Sequence, residues 1–175
     1  MAKPDQQPAS SVDHVDRVIE QWGIERPDLD LRPTAIVARL GRAVSFTDQR
    51  LESFFAQHGL TRGLWDVLAS LRRTGAPFRL SPTELAKELM RTTGTMTGRL
   101  AQLQDEGLIR RVPDPADGRG MLVELTAKGR RLVDRLAAEH LANERQILAG
   151  ISASDQKALA ALLADLLKHL ELPSS

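Results

Sequence analysis

The sequence predicts a mainly α-helical protein with one small β-hairpin, in the arrangement of a winged helix-turn-helix. Three observations within residues 80–128 support this fold class. The first is a short helix pattern with Ser81 as its N-cap, Pro82 at its first position and Glu84 as the capping-box glutamate. The second is a tight turn that leads into another apolar helix pattern. The third is a pair of strand patterns around residues 113–120, a stretch rich in Pro, Asp and Gly that predicts a turn.

The composition indicates a globular domain of ordinary size. The chain has 175 residues, of which 42% are hydrophobic and 27% are charged, and it contains no cysteine. A disulfide framework and a thiolate metal site are therefore excluded. The N-terminus lacks an apolar signal segment and no apolar run approaches ~18 residues, so we expect a cytoplasmic protein with no membrane partner.

Positive charge is concentrated in the middle of the chain. Residues 61–131 contain 13 Lys and Arg against 8 Asp and Glu, whereas the whole chain has a net charge of only +1. This distribution fits a middle segment that faces phosphate groups. A chance fluctuation of surface charge is the alternative interpretation.

Two helices are predicted before the winged segment. Residues 1–10 are polar with two prolines and are expected to form a disordered tail. A first helix is expected over 11–23, with Ser11 as its cap and Gly23 as its end. A second, long helix is expected over 34–57, where apolar residues form a wide face.

Further caps predict the remaining helices. Thr61 is expected to cap a third helix, Thr126 a helix that runs to about residue 149, and Ser154 the last helix. The last helix carries a wide leucine face, formed by Leu159, Leu162, Leu163, Leu166, Leu167 and Leu170. A second copy of the chain would cover this face. Packing within the chain, against residues 34–57, is the alternative.

The second helix of the helix-turn-helix has an unusual start. Four threonines and two glycines make a poor helix by propensity, so stability does not explain them. Hydroxyl groups can contact base edges while arginines hold phosphates, and a methionine can contact a thymine methyl group. The predicted DNA-contacting residues of this segment are Arg91, Thr92, Thr93, Thr95, Met96, Thr97 and Arg99.

The hairpin forms the predicted wing. Its strands are expected over 108–112 and 121–125, and Arg119 lies between two glycines at the turn. An arginine on a narrow tip suits the minor groove, where negative potential is concentrated. A solvated turn arginine is the alternative.

Signatures of enzymes and metal sites are lacking in the sequence. It contains no phosphate-binding glycine loop, no GxSxG and no HExxH. The four histidines show no i, i+4 pairing, although a site built across a dimer stays open. We therefore expect no enzymatic activity, no cofactor and no bound metal.

The motifs ELAKEL, GRLAQLQDEGLIRR, DPADGRG and LTAKG, together with the two long helices that follow, resemble the MarR family of bacterial regulators over about residues 34–170. The resemblance implies a homodimer that is held by N- and C-terminal helices. It also implies that each protomer presents its winged helix to one half of a pseudo-palindromic operator on double-stranded DNA. Ligand binding between these regions would lower the affinity for DNA.

A narrower resemblance concerns the urate-responsive branch of this family. The added N-terminal helix, RPDLD at 26–30 and the Trp-Asp pair at 65–66 match that branch. The resemblance assigns four residues to the ligand: Trp22, Asp66, Arg99 and Arg111. A tryptophan face and a guanidinium suit a planar anion, and Asp66 is expected to pair with Arg111 before the ligand enters. The alternative for Trp22 is packing within the first helix.

Four segments follow from these predictions: a disordered tail over 1–10, N-terminal helices for dimerisation and ligand binding over 11–60, the DNA-binding winged helix over 61–128, and C-terminal dimerisation helices over 129–175. The predicted function is a transcriptional regulator, a repressor that a small anionic metabolite (urate or a similar organic acid) releases from its operator. A winged-helix module for protein contacts, without a ligand or operator of its own, is the alternative. The residues do not identify the acid.

Overall fold

A computed structural model of the chain describes residues 12–117 and 120–172. The predicted tail and the predicted cap Ser11 therefore lie outside the described residues. The elements, in chain order, are α1 (His14–Glu25), α2 (Arg32–Ala56), α3 (Arg62–Arg73), β1 (Arg79–Leu80), α4 (Pro82–Glu88), α5 (Thr93–Asp105), β2 (Ile109–Pro113), β3 (Met121–Leu125), α6 (Ala127–Ile147) and α7 (Ala153–Leu170). The predicted fold class, mainly α with a small sheet, is confirmed.

The chain forms two compact units, and the boundary between them, after Gln49, lies inside α2. In the first unit, Asp13 is the N-cap of α1 and forms a capping box with Asp16. Both carboxylates accept hydrogen bonds from Arg39 of α2, at 2.8 Å for Asp13 and 2.5 Å for Asp16. These contacts attach α1 to α2. The helix continues through Gly23 to Glu25, so the predicted end at Gly23 is wrong.

The second unit contains a continuous hydrophobic core. Helix α3 lies at its centre, and its residues Leu64, Val67, Leu68 and Leu71 are at most 1% exposed. The three strands form an antiparallel sheet in the order β1-β3-β2. The short strand β1 was not predicted, because two residues between a loop and a helix cap carry no strand periodicity.

Most predicted helix caps of this unit are confirmed. Thr61, Ser81 and Thr126 each accept a hydrogen bond from the backbone of the following turn. The predicted cap Ser154 is wrong, since Ser152 caps α7 by accepting from the Asp155 amide. No helix in the described ranges is both long and apolar enough to cross a membrane.

Gly129 allows α6 to begin directly against the strand connection. A Cβ atom at this position would lie 2.2 Å from the Leu108 carbonyl oxygen and 2.8 Å from Leu125 Cδ1. The Gly129→Ala variant should therefore lose about 1–3 kcal/mol of unfolding free energy, because the backbone must shift to admit the methyl group. Urea unfolding measures this loss. Gly41→Ala is the matched control: it adds a methyl group to α2 where no atom lies within 4 Å, and it should leave stability unchanged or raise it.

Candidate nucleic-acid interface and anion site

The turn between α4 and α5 is fixed by its own backbone. The Met90 amide donates to the Lys87 carbonyl at 3.2 Å, and the Arg91 amide donates to the Ala86 carbonyl at 2.9 Å. Met90 adopts a left-handed conformation with φ 50°. This pair of bonds ends α4 in a Schellman motif. Thr92 then caps α5, accepting from the Thr95 amide at 3.4 Å.

The first turns of α5 present polar groups to solvent. Arg91, Thr92, Thr95 and Thr97 are exposed. The hydroxyl groups of Thr92 and Thr95 lie 3.1 Å apart. Thr93 is the first residue of the helix. Hydroxyl groups and a guanidinium on one exposed helix start can contact base edges and phosphates.

Met96 does not belong to this surface, so its predicted contact with a thymine methyl group is wrong. Its side chain is 1% exposed, and it lies in the core with Leu100 and Leu103. The reason is helical spacing, because positions i, i+4 and i+7 share one face of α5. The exposed methionine of this segment is Met90, with 85% of its surface accessible.

The wing consists of β2, β3 and the turn between them, Ile109–Leu125. The Asp114 amide donates to the Gly120 carbonyl, and the Gly120 amide donates to the Asp117 carbonyl, both at 2.9 Å. Residues 118–119 lie outside the described residues, and the predicted minor-groove residue Arg119 is one of them.

Arg99 is the predicted site residue with the most distinctive surroundings. Its guanidinium lies over Gly63 at the start of α3, so close that a Cβ on Gly63 would fall 2.3 Å from the Arg99 Cζ atom. Its Nη1 atom is buried and has no hydrogen-bond partner within the described part of the chain. A buried, unpaired donor is costly. This nitrogen can donate to an acceptor that reaches it.

Asp66 lies one turn after Gly63 on α3. Burial raises the pKa of its carboxyl, although arginine charges act in the opposite direction. Within the described residues, the arginines that oppose this rise are Arg62, Arg99, Arg91 and Arg73. Arg111 is not among the arginines that act on Asp66, so the expected pairing of Asp66 with Arg111 is wrong. The cause is strand position: Arg111 is exposed on β2 and lies opposite Val123. Arg62 and then Arg99 have the largest charge effects among the arginines that act on Asp66.

Trp22 belongs to the first unit, near the end of α1. It is 49% exposed, and it lines a shallow cleft with Gln21 and Glu25. Trp22 is therefore not a core residue, and an accessible indole face can stack on a planar molecule.

A pH-dependent stability is expected from Asp66. Because burial raises its pKa above the usual 3.8, the folded chain binds this proton more readily than the unfolded chain. Stability should therefore fall as pH rises from the usual value through the raised one. Asp66→Asn removes the charge and should raise the urea midpoint at pH 7, with no gain below pH 3.8. Asp165→Asn, which removes an exposed carboxylate of α7, is the control for the loss of one negative charge. An equal gain at both pH values would contradict the prediction.

The described residues contain no group of three or more His, Cys, Asp or Glu that could hold a metal ion. The histidines His58 and His140 instead lie in an aromatic cluster. His140 packs on Trp65 and Phe55, with ring centres 5.3 and 5.1 Å away.

Comparisons with known proteins give one consistent result. A MarR family model matches residues 58–120. The regulator PecS of Dickeya dadantii is 38% identical, and the match covers 89% of this chain and 94% of that protein. A crystal structure of mutant MarR from E. coli in complex with operator DNA has a TM-score of 0.69 and 27% identity, covering 79% of this chain and 99% of the other. A structure of Bordetella bronchiseptica BpsR, described with the regulation of its DNA binding by 6-hydroxynicotinic acid, has a TM-score of 0.67 and 25% identity, covering 75% and 91%.

Proposed function

The chain belongs to the MarR family of transcriptional regulators, and from this membership we propose that it is a dimeric repressor that leaves a pseudo-palindromic operator when it binds a small anionic metabolite such as urate. Proteins of this family are regulators and not enzymes. The proposal that the chain binds DNA rests on one observation, which is that hydroxyl groups and a guanidinium are exposed at the start of α5.

We assign the reading of the operator to α5. Thr95 and Thr97 are exposed within its first two turns, and a recognition helix places such residues on base edges in the major groove. Arg91 precedes the helix and is exposed, and we assign it to a phosphate contact. Arg119 extends the contact to the minor groove in this proposal. The mutant MarR structure with operator DNA supports this assignment by likeness.

A second copy of the chain is the proposed partner of the terminal helices. No residue of α7 is buried in the single chain. Leu162 and Leu170 are 69% and 66% exposed, and Ile36 and Val37 of α2 are 63% and 67% exposed. Apolar side chains exposed in this number mark an association surface. Isologous contacts would make the dimer two-fold symmetric, like the proposed operator.

The ligand part of the proposal assigns one anion to Trp22, Asp66, Arg99 and Arg111. The buried Nη1 atom of Arg99 is a donor without a partner in the described chain, and an anionic oxygen would satisfy it. The indole of Trp22 offers a stacking face. BpsR, whose DNA binding is regulated by an acidic aromatic compound, supports a ligand of this chemical class.

Arg99 would transmit ligand binding to DNA because it lies on α5 itself. Asp66 attracts Arg62, Arg99 and Arg91, and Arg91 is the residue before the cap of α5. An anion that draws Arg99 away from Asp66 would change the electrostatic forces on Arg91 and Arg99, which lie at the two ends of the predicted DNA-contacting segment 91–99. Ligand and operator would thus favour different positions of α5, which is the differential binding that release requires.

The DNA-binding part is tested by titrating the purified chain into its own upstream DNA and following fluorescence anisotropy. We expect saturable binding at ~50 mM salt that weakens steeply by ~200 mM, because Lys and Arg contacts with phosphates release counterions. Unrelated DNA of the same length is the control. Equal affinity for both DNAs, or no binding at ~50 mM salt, would refute the proposal.

A further inference from the structure

Glu124 is a carboxylate at the centre of the three-stranded sheet. It lies on the middle strand β3, and the register places Arg79 of β1 directly opposite it on one side and Arg110 of β2 directly opposite it on the other. The Arg79 Nε atom donates to Glu124 Oε2, and the Arg110 Nε atom donates to Oε1 at 2.7 Å. One carboxylate therefore connects all three strands through its two oxygens.

The burial of Glu124 is unusual for its face of the sheet. Its neighbours Val123 and Leu125 point to the core and are at most 4% exposed, so Glu124 points to the opposite face. It is nevertheless only 7% exposed, while the side chains of Arg79 and Arg110 remain 32% and 63% exposed. Glu124 therefore lies on the face of the sheet that points away from the core, and the side chains of Arg79 and Arg110 shield its carboxylate from solvent.

The three charges depend on one another. Burial alone raises the pKa of Glu124, but hydrogen bonds from Arg110 and Arg79 outweigh it and hold the pKa below its usual range. Removal of one partner from a buried ionic group leaves the others uncompensated. Without the carboxylate, two guanidinium groups would face each other across β3. The ion cluster of Arg79, Arg110 and Glu124 therefore holds the three strands together only when all three charges are present.

The hydrogen bond from Arg110 to Glu124 holds the Arg110 side chain on the outer face of β2. Successive residues of a strand point to opposite faces, so Arg111 points to the other face, opposite Val123. Leu80 of the edge strand β1 pairs with Val123 next to this cluster. The carboxylate consequently connects the wing to the segment that starts α4.

We infer that Glu124 is a positioning residue for DNA binding, which fixes the direction of the wing relative to the helix-turn-helix by holding Arg79 and Arg110. This inference rests on the proposed function. Glu124 touches no DNA in this scheme. It acts through the wing, which without it would sample several directions and bind its groove less well.

The test compares Glu124→Gln, Arg110→Glu, and the double variant Arg110→Glu with Glu124→Lys. Hydrogen exchange of the free proteins follows the amides of β1, β2 and β3, and hydroxyl-radical footprints follow the operator. We expect Glu124→Gln to exchange faster in the three strands but not in α3, to lose protection at the outer minor grooves, and to bind about tenfold more weakly. The double variant keeps the net charge of the cluster and restores an opposite-charge pair between β2 and β3, but it places a cation opposite Arg79 of β1. Relative to Arg110→Glu, it should therefore slow exchange in β2 and β3 and recover part of the footprint and the affinity.

The outcomes separate this inference from the proposed function. Unchanged strand exchange in Glu124→Gln overturns the inference whether or not the chain binds DNA. Faster exchange with unchanged affinity and footprint overturns it as well. If the double variant stays as weak as Arg110→Glu, the charge of Arg110 acts on DNA directly and Glu124 is not the positioning group. Failure of the wild-type chain to bind its operator refutes the proposed function alone. Asp165→Asn, which removes a carboxylate far from the sheet in sequence, should behave as the wild type in every arm.

Discussion

A Leu162→Glu variant should be monomeric and should bind the palindromic operator at least about a hundredfold more weakly than the wild-type chain. The factor follows from joining two half-site contacts in one particle, which raises avidity by about 10²–10⁴. Leu162 is 69% exposed in the single chain, so a glutamate there costs the protomer itself little. In a dimer built on α7, the same glutamate would be buried without a partner.

Light scattering measures the association state, and fluorescence anisotropy measures binding to the operator. Lys157→Glu is the matched control, because it places the same side chain on α7 about 140° around the helix from Leu162 and should leave a dimer of full affinity. Circular dichroism checks that both variants remain helical. A dimeric Leu162→Glu variant with wild-type affinity would show that the interface lies elsewhere.

The helix-turn-helix could be predicted because its signals are local. Ser81 and Glu84 lie three residues apart and satisfy each other's backbone amides. Where two candidate caps are close together, local pattern was not sufficient. Ser152 rather than Ser154 caps α7, and it also donates a hydrogen bond to Asp155 at 2.6 Å. A choice between two serines depends on loop geometry, which the sequence does not show.

The candidate site was less predictable because it depends on distances between elements. The residue types around the proposed ligand came from a resemblance, but the contact of Arg99 with Gly63 joins α5 to α3 and has no local signal. Met96 was misassigned because its polar neighbours suggested a surface position, whereas its spacing from Leu100 and Leu103 indicated the core. Glu124 had a usable signal: a single charge within the apolar strand MLVEL predicts a buried partner.

Replacing Trp22 by Phe should leave operator binding unchanged and raise the urate concentration for half-release by at least about tenfold. The indole is exposed in the first unit, so its loss should not reduce stability. The larger face of tryptophan gives the stronger stacking on a planar anion. Phe46→Leu is the matched control, since it removes another exposed aromatic side chain, 56% accessible, and should not alter release.

Arg99→Lys tests the other side of the same proposal. Lysine keeps the positive charge that a phosphate contact would need, but it loses the planar fork that holds an anion with two parallel hydrogen bonds. Operator affinity should therefore stay within about threefold, a difference of about 0.7 kcal/mol at most, while release by urate is lost. Anisotropy of the preformed complex, titrated with urate and separately with trans-aconitate, measures both quantities. Wild-type release in both Trp22→Phe and Arg99→Lys would place the ligand elsewhere. Loss of release in Arg99→Lys alone would keep the anion at α5 and remove Trp22 from its contacts.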